Sequence, residues 1–181
     1  MISSTSNAKV KNIINLKKSA RARKKENCFL VEGPRMFFEI PKDRIAECYL
    51  TEEFADKYAE ELKGWRYELM SENVCRHLSD TKTPQGVIAV VRREEPSVEE
   101  LLNKEKNPCF FLLENLQDPG NLGTIIRTAE GAGVTGVIMN RDTVDIYNPK
   151  VIRSTMGAIF RVPFVIVDSL PEVISQLKQN S

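Results

Sequence analysis

A chain of 181 residues that is 41% hydrophobic can bury a core, and the length accommodates one domain or two small ones. The net charge near +1 conceals an uneven distribution: residues 1–25 carry eight Lys or Arg and no acid, against 18 basic and 25 acidic residues in the rest. A basic head on an acidic body suits a local contact with a polyanion, and a solvated basic helix face fits the charge count equally well. MISSTSNAKVKN has no apolar signal-type core, and the apolar run Cys109–Leu113 is far too short to cross a bilayer, so a soluble, cytoplasmic protein with no membrane contact is expected. Cys28, Cys48, Cys75 and Cys109 form no CxxC pair, which excludes a zinc ribbon or thioredoxin-type motif, and no metal site is expected. The single histidine, His77, stands two residues from Cys75 on an expected helix, where the two side chains diverge, so they make no local nucleophile pair.

In chain order, Ser6 is placed to cap a helix with Val10, Ile13 and Ile14 on one face, and a short basic helix around SARARKK follows. CFLVE, AECYL, RYELM and GVIAVV read as strands; PRMFFEI, EEFADKYAEEL and SENVCRHL read as the helices between them. This α/β unit closes near Val91. The charged stretch RREEPSVEELLNKEKNP, with prolines near both ends, reads as an inter-domain connection. The expected division is therefore residues 1–92, a connection at 93–107, and a second unit at 108–181.

The second unit opens with CFFLLEN, a continuous apolar run that reads as a strand covered on both faces of a parallel sheet. LQDPGN leads into a helix beginning near Leu122 with Asn121 as its cap. GVIMN and PFVIV are further strands; PKVIRSTMGAIF and PEVISQLKQ are further helices. Three strands are few for an α/β domain, which suggests that the fold is unfinished at Ser181.

The helix after LQDPGN carries the sharpest signal. Leu122, Ile125, Ile126, Ala129 and Ala132 form an apolar stripe for a sheet, while Gly123, Arg127 and Gly131 stack at four-residue steps on another face. Interior glycines cost roughly 1 kcal/mol each relative to alanine, so this row implies close approach of a backbone or ligand, with Arg127 as the group offered to it. The loop lacks both the P-loop pattern and G-x-G-x-x-G. Asn121 and Arg127 at the carboxyl edge of a parallel sheet therefore define only a generic anion or ligand site.

DPGNLGTIIRTAEGAGV resembles the first motif of the SpoU (TrmH-type) RNA 2′-O-methyltransferases, with N-x-G-x-x-x-R-x-A matched at Asn121, Gly123, Arg127 and Ala129. NPKVIRSTMGAIFRVPF resembles the family's following segment; FLVEGPRMFFEI and LSDTKTPQGVIAVV resemble its small, ribosomal-protein-like substrate-binding domain. The resemblance implies methyl transfer from S-adenosylmethionine to a ribose 2′-hydroxyl of RNA, with ribosomal RNA the preferred substrate. It also implies a homodimer through a SPOUT-type parallel α/β domain ending in a trefoil knot.

Asn121 and Arg127 are the implied catalytic residues. Lys17, Lys18, Arg21, Arg23, Lys24, Lys25, Arg153 and Ser154 are the expected RNA contacts. Removing a proton from a guanidinium at neutral pH costs about 7 kcal/mol, so holding a substrate phosphate and orienting the hydroxyl is the cheaper role for Arg127. The family's later motifs, a glycine-rich segment with a glutamate and a Ser-Leu-Asn segment, do not occur before Ser181, which leaves the cofactor-binding residues unassigned. The alternatives are a non-catalytic RNA-binding module lacking the cofactor half and, last, a generic phosphate-binding α/β protein.

Overall fold

The computed structural model describes residues 1–179 and divides into two compact units, Met1–Arg93 and Glu94–Ser181. The first begins with α1 (Ala8–Lys18) and α2 (Ala20–Glu26), followed by β1 (Cys28–Glu32), α3 (Pro34–Phe37) and β2 (Ile45–Leu50). It continues through α4 (Glu52–Lys57), β3 (Glu68–Leu69), α5 (Glu72–Leu78) and β4 (Val87–Arg92). The sheet order is β1-β4-β2-β3; β4 runs antiparallel to both neighbours, and β2 pairs parallel with β3. The carboxyl ends of β1 and β2 thus share an edge with the start of β4.

The apolar positions of α1 and α5 account for the core on one face. Val10, Ile13 and Leu16 pack with Val74, Cys75 and Leu78 against Leu30, Tyr49, Ile88 and Val90 of the strands. The capping residue of α1 is Asn7, whose Oδ1 accepts from the Lys9 amide at 2.8 Å, rather than the expected Ser6. Helices α3 and α4 are shorter than their apolar patterns suggest, because the residues after Phe37 and Lys57 give way to turns.

In the second unit α6 (Val98–Leu102) precedes β5 (Phe110–Leu113), α7 (Pro119–Ala132), β6 (Gly136–Asn140), α8 (Pro149–Thr155), β7 (Phe164–Val167) and α9 (Leu170–Gln179). The stretch expected as a connection belongs to this unit: a capping box at Ser97 and Glu100 starts α6, and Leu101 enters the core with Ile138, Val165, Leu170 and Val173. The three strands are parallel, in the order β5-β6-β7. The expectation of two-faced burial for the first strand is corrected here. The central strand β6 is the one buried throughout Val137–Met139, whereas β5 lies at the edge with Leu112 exposed.

Helices α7 and α8 meet closely. A Cβ built on Gly123 would lie 2.2 Å from Ser154 Cβ and 2.8 Å from its carbonyl carbon, so no side chain fits at this crossing. A Cβ at Gly131 meets nothing within 4 Å. The glycine row is therefore divided: Gly123 is buried by the chain's own α8, and the backbone approach there needs no second chain or RNA, while Arg127 and Gly131 stay exposed. Ala132, the last position of the expected apolar stripe, is exposed as well.

Two substitutions separate these roles. Gly123→Ala forces the helices apart and should cost about 1–3 kcal/mol in denaturant unfolding. Gly131→Ala fills open space in the last turn and should stabilise by about 0.5–1 kcal/mol.

Candidate nucleic-acid interface and active-site edge

The carboxyl ends of β5 and β6 are tied together by amide side chains. Both strands run into an asparagine region: Asn115, two residues past β5, adopts a left-handed backbone at φ 53°, and Asn140 ends β6. The Asn115 amide N–H donates to Asn140 Oδ1 at 2.9 Å, and Asn140 Nδ2 donates back to Asn115 Oδ1 at 2.6 Å. Thr143 Oγ1 donates to Asn140 Oδ1 at 2.9 Å, and Gln117 Nε2 donates to the Asp142 carbonyl at 2.5 Å. Neither periodicity nor motif singles out Asn115, Asn140 or Thr143. The signal that could find them is the recurrence of asparagine after LLE and after VIM, since asparagine tolerates the left-handed turn and supplies both donor and acceptor.

This brace fixes the loop from which α7 starts. The helix begins at Pro119 with Asp118 as its cap, whose Oδ1 accepts from the Asn121 amide at 2.7 Å; Asn121 is thus inside the first turn and is not the cap. Its side chain is exposed and has no hydrogen-bond partner among the described residues. Arg127 is likewise exposed, without ion pair or hydrogen bond among the described residues. Six residues of helix separate the two by about 9 Å along the axis and about 120° around it, so they can grip different atoms of one extended ligand but not the same atom.

Of the expected RNA contacts, Lys18, Arg21, Lys24 and Lys25 are exposed on α1 and α2. Arg23 is not: it is 3% exposed, and its Nη1 donates to the carbonyls of Leu16 at 2.6 Å and Lys17 at 3.2 Å. It caps the carboxyl end of α1, where a cation also complements the helix dipole. Lys17 is largely covered, pairs with Asp80 at 2.7 Å and donates to the Leu78 carbonyl at 2.8 Å, so it too is spent inside the fold. Ser154 presses its Cβ on Gly123 and donates its hydroxyl to the Lys150 carbonyl at 2.8 Å; Arg153 is half-buried and engaged.

Burial holds the thiols of Cys48 and Cys75 neutral, pushing them up to about 12 and about 11, whereas His77 is exposed. Burial thus disfavours a thiolate nucleophile at either. Among the described residues no group of His, Cys, Asp and Glu could hold a metal ion, and no helix is long and apolar enough to cross a membrane.

Such a molecule is an α/β protein with a basic, helix-capped sheet unit followed by a parallel-sheet unit whose helix α7 offers an exposed arginine, unpaired among the described residues. Comparison with known proteins sharpens that class. Residues 108–181 match the SpoU rRNA Methylase family, and residues 7–89 match the MRM3-like substrate binding domain. The chain is 34% identical over 180 residues to the 23S rRNA (guanosine(2553)-2′-O)-methyltransferase RlmP of Bacillus subtilis, covering 98% of this chain and 68% of that protein. It is 32% identical to the human mitochondrial rRNA methyltransferase 3, covering 87% of this chain and 39% of that one. Among solved structures, the SpoU methyltransferase AviRb of Streptomyces viridochromogenes, crystallised with AdoMet, matches with a TM-score of 0.82 at 26% identity, over 96% of this chain and 68% of that one. An rRNA methyltransferase from Sinorhizobium meliloti matches with a TM-score of 0.81 at 25% identity, over 98% of this chain and 68% of that one. The chain belongs to the SpoU rRNA methylase family, whose members are RNA methyltransferases.

At the carboxyl edge Asn140 spends its amide oxygen on Asn115 and Thr143 and its amide nitrogen on Asn115, so its side chain is not free to hold the family's cofactor.

The thiol environments give a measurable order. Ellman's reagent at pH 8 should modify Cys109 first and the half-buried Cys28, whose thiol is also raised by burial, more slowly. Cys48 and Cys75 should react only when denaturant is added; rapid reaction of either would show that the first unit's core is open.

Proposed function

We propose that this chain binds ribosomal RNA and orients a ribose 2′-hydroxyl for S-adenosylmethionine-dependent methylation. The observation that carries the reading is the pair of family matches, a substrate-binding unit followed by a methylase unit, in one chain. Exposed Lys18, Arg21, Lys24 and Lys25 supply phosphate contacts that give affinity without sequence information. Arg127 holds the phosphate beside the target ribose, and Asn121, about 9 Å along the same helix, hydrogen-bonds a neighbouring sugar or base atom. In this role the guanidinium keeps its proton and lowers the cost of placing the hydroxyl, a matter of position rather than of base strength. Residues that hold the cofactor are not assigned, and no step is derived through it.

A non-catalytic RNA-binding module is the second reading, favoured by the edge position of β5 and the engaged Asn140 amide. Calorimetric titration with S-adenosylmethionine separates the two: heat of binding from this chain supports the enzyme, and silence alongside intact RNA binding supports the module. A homodimer through the methylase unit belongs to the first reading, supported by the open space over Gly131. Sedimentation tests it, since Gly131→Leu should then dissociate the dimer. A cytoplasmic location is part of the same proposal, supported by its four unpaired cysteines, and cell fractionation tests it.

RNA binding itself is expected to weaken steeply with salt. Replacing Lys18, Arg21, Lys24 and Lys25 with glutamine should reduce the slope of log K against log[salt] by about 0.7–0.9 for each phosphate no longer neutralised. Arg127→Ala should free one further phosphate and leave the unfolding free energy within about 0.5 kcal/mol. An unchanged slope in the quadruple variant would return these lysines and Arg21 to solvent.

A further inference from the structure

A concave surface lies in the first unit, at the shared edge where β1 and β2 end and β4 begins. Phe54 and Tyr58 form its apolar wall, with ring centroids 4.6 Å apart; Glu53, Glu72, Lys57 and Gln85 supply polar groups around a hollow of about 190 Å³. The floor is fixed. Gly86 has a φ of 77°, and a Cβ there would lie 2.7 Å from Thr51 Oγ1 and 2.9 Å from Phe54 Cβ. The wall extends outward, since the Phe38 ring, 36% exposed, lies 5.2 Å from Tyr58 and is stacked with Phe54 at 6.3 Å.

The polar groups here are unspent. Gln85 is exposed, and its amide has no partner among the described residues; the Tyr58 hydroxyl has none either. The loop that carries Gln85 is nonetheless anchored. Glu32 at the end of β1 accepts from the hydroxyl of Ser79, from the hydroxyl of Thr81 at 3.3 Å and from the Asp80 amide at 3.4 Å. Lys17 clamps Asp80 from α1 at 2.7 Å. An anchored loop with an exposed, idle amide lining the same hollow as the half-buried Tyr58 ring has the character of a recognition surface rather than of a core.

We infer that this hollow takes one unstacked, amino-bearing base of single-stranded RNA. The inference rests on the RNA-binding reading above and adds a base-reading subsite distinct from the phosphate contacts of α1 and α2. The half-buried Tyr58 ring, backed by the buried Phe54 and flanked by the exposed Phe38, offers a stacking platform, the device by which proteins hold splayed-out bases. Glu53 and Glu72 repel phosphate, so a bare anion is the wrong ligand; they accept hydrogen bonds from an exocyclic amine, as carboxylates do from cytosine N4. Uracil, with two carbonyl acceptors and no amine, is disfavoured by the same carboxylates. Lys57, whose Nζ sits 5.2 Å from the Tyr58 ring centre, is left for the flanking phosphate.

Trp65 is the only tryptophan of the chain, and its ring lies 6.2 Å from Phe38, so its fluorescence responds to a change at the Phe38 ring. The experiment titrates the whole chain with single-stranded hexaadenylate, hexauridylate and a short RNA duplex at fixed salt. Hexaadenylate is expected to bind more tightly than hexauridylate and to change the Trp65 emission; the duplex should leave the emission unchanged. Tyr58→Ala should weaken hexaadenylate binding roughly 5- to 150-fold, the range for one base–aromatic stack, and Tyr58→Phe should restore it. Gln85→Ala, at an exposed position that cannot disturb the core, should weaken binding several-fold with no loss of thermal stability.

RNA binding that keeps its salt dependence yet ignores Tyr58→Ala and Gln85→Ala overturns this inference and leaves the proposed function standing. Equal affinity for the two homopolymers overturns it as well. Self-association of the chain that Phe38→Ser abolishes would assign the patch to protein contact and likewise overturn it. Absence of binding to any RNA removes the proposed function itself.

Discussion

The second unit depends on a contact that admits no side chain. Where α7 crosses α8, Ser154 occupies the space that a Cβ on residue 123 would need, so the two helices approach only because that residue is glycine. Ridge-into-groove packing normally keeps helix axes 8–10 Å apart, and the lower end of that range requires small residues at the crossing. The consequence reaches the candidate site. One turn beyond Gly123, the same row emerges from under α8, and the first side chain on it is Arg127, exposed and unpaired among the described residues. A helix anchored at one turn and bare at the next presents Arg127 from a fixed backbone, while the exposed side chain itself keeps its rotamer freedom.

A second constraint acts at the carboxyl edge of the sheet. β6 is buried throughout Val137–Met139, with Ile138 toward α6 and α9 and, by the two-residue alternation, Val137 and Met139 toward the opposite face. Because β6 is immobilised from both sides, Asn140 at its end is a fixed post. The reciprocal hydrogen bonds to Asn115 transfer that rigidity to the edge strand β5 and to the loop from which α7 begins. Edge strands are otherwise the parts of a sheet most open to added chain, and β5, with Leu112 exposed, retains that openness on its outer side. The chain spans 68% of the bacterial relative and 39% of the human mitochondrial one, and among the described residues β5 and β7 are both edge strands of the three-stranded sheet.

The sequence reveals elements better than faces. Each strand among the described residues overlaps a run that alternation or continuous apolarity marks, with β2 and β4 each reaching one residue beyond it. The family follows from several motif blocks in order, a signal that periodicity alone does not carry. Burial is harder to read. CFFLLEN is as apolar as GVIMN, yet the first is an edge strand and the second central, since strand order is set by long-range pairing that leaves no local mark. The glycine row misleads for a related reason: a four-residue step shows that residues share a face but not where another helix crosses it. Asn121 competes with Asp118 as the cap of α7, and the aspartate wins because D-P-G sets it directly before a proline suited to the first helical position.

The cations show most clearly how physical chemistry divides residues that a charge count treats alike. Within eight residues of one another, Lys17, Lys18, Arg21, Arg23 and Lys24 have the same sign and similar reach. Arg23 falls on the side of α2 that faces the end of α1, where unpaired carbonyls need donors, and its guanidinium satisfies two of them. Lys17 falls beside α5 and closes on Leu78 and Asp80. Each has traded solvent for fixed acceptors, and neither can reach a phosphate without leaving a buried carbonyl unsatisfied, at a cost of about 1–3 kcal/mol. Lys18, Arg21 and Lys24 have no acceptor among the described residues to give up on meeting an anion, and release of counterions is itself a driving force for binding to a polyanion. Thus only part of the basic head serves as an electrostatic surface, and the part held inside the fold keeps α1, α2 and the loop after α5 in the positions from which that surface is presented.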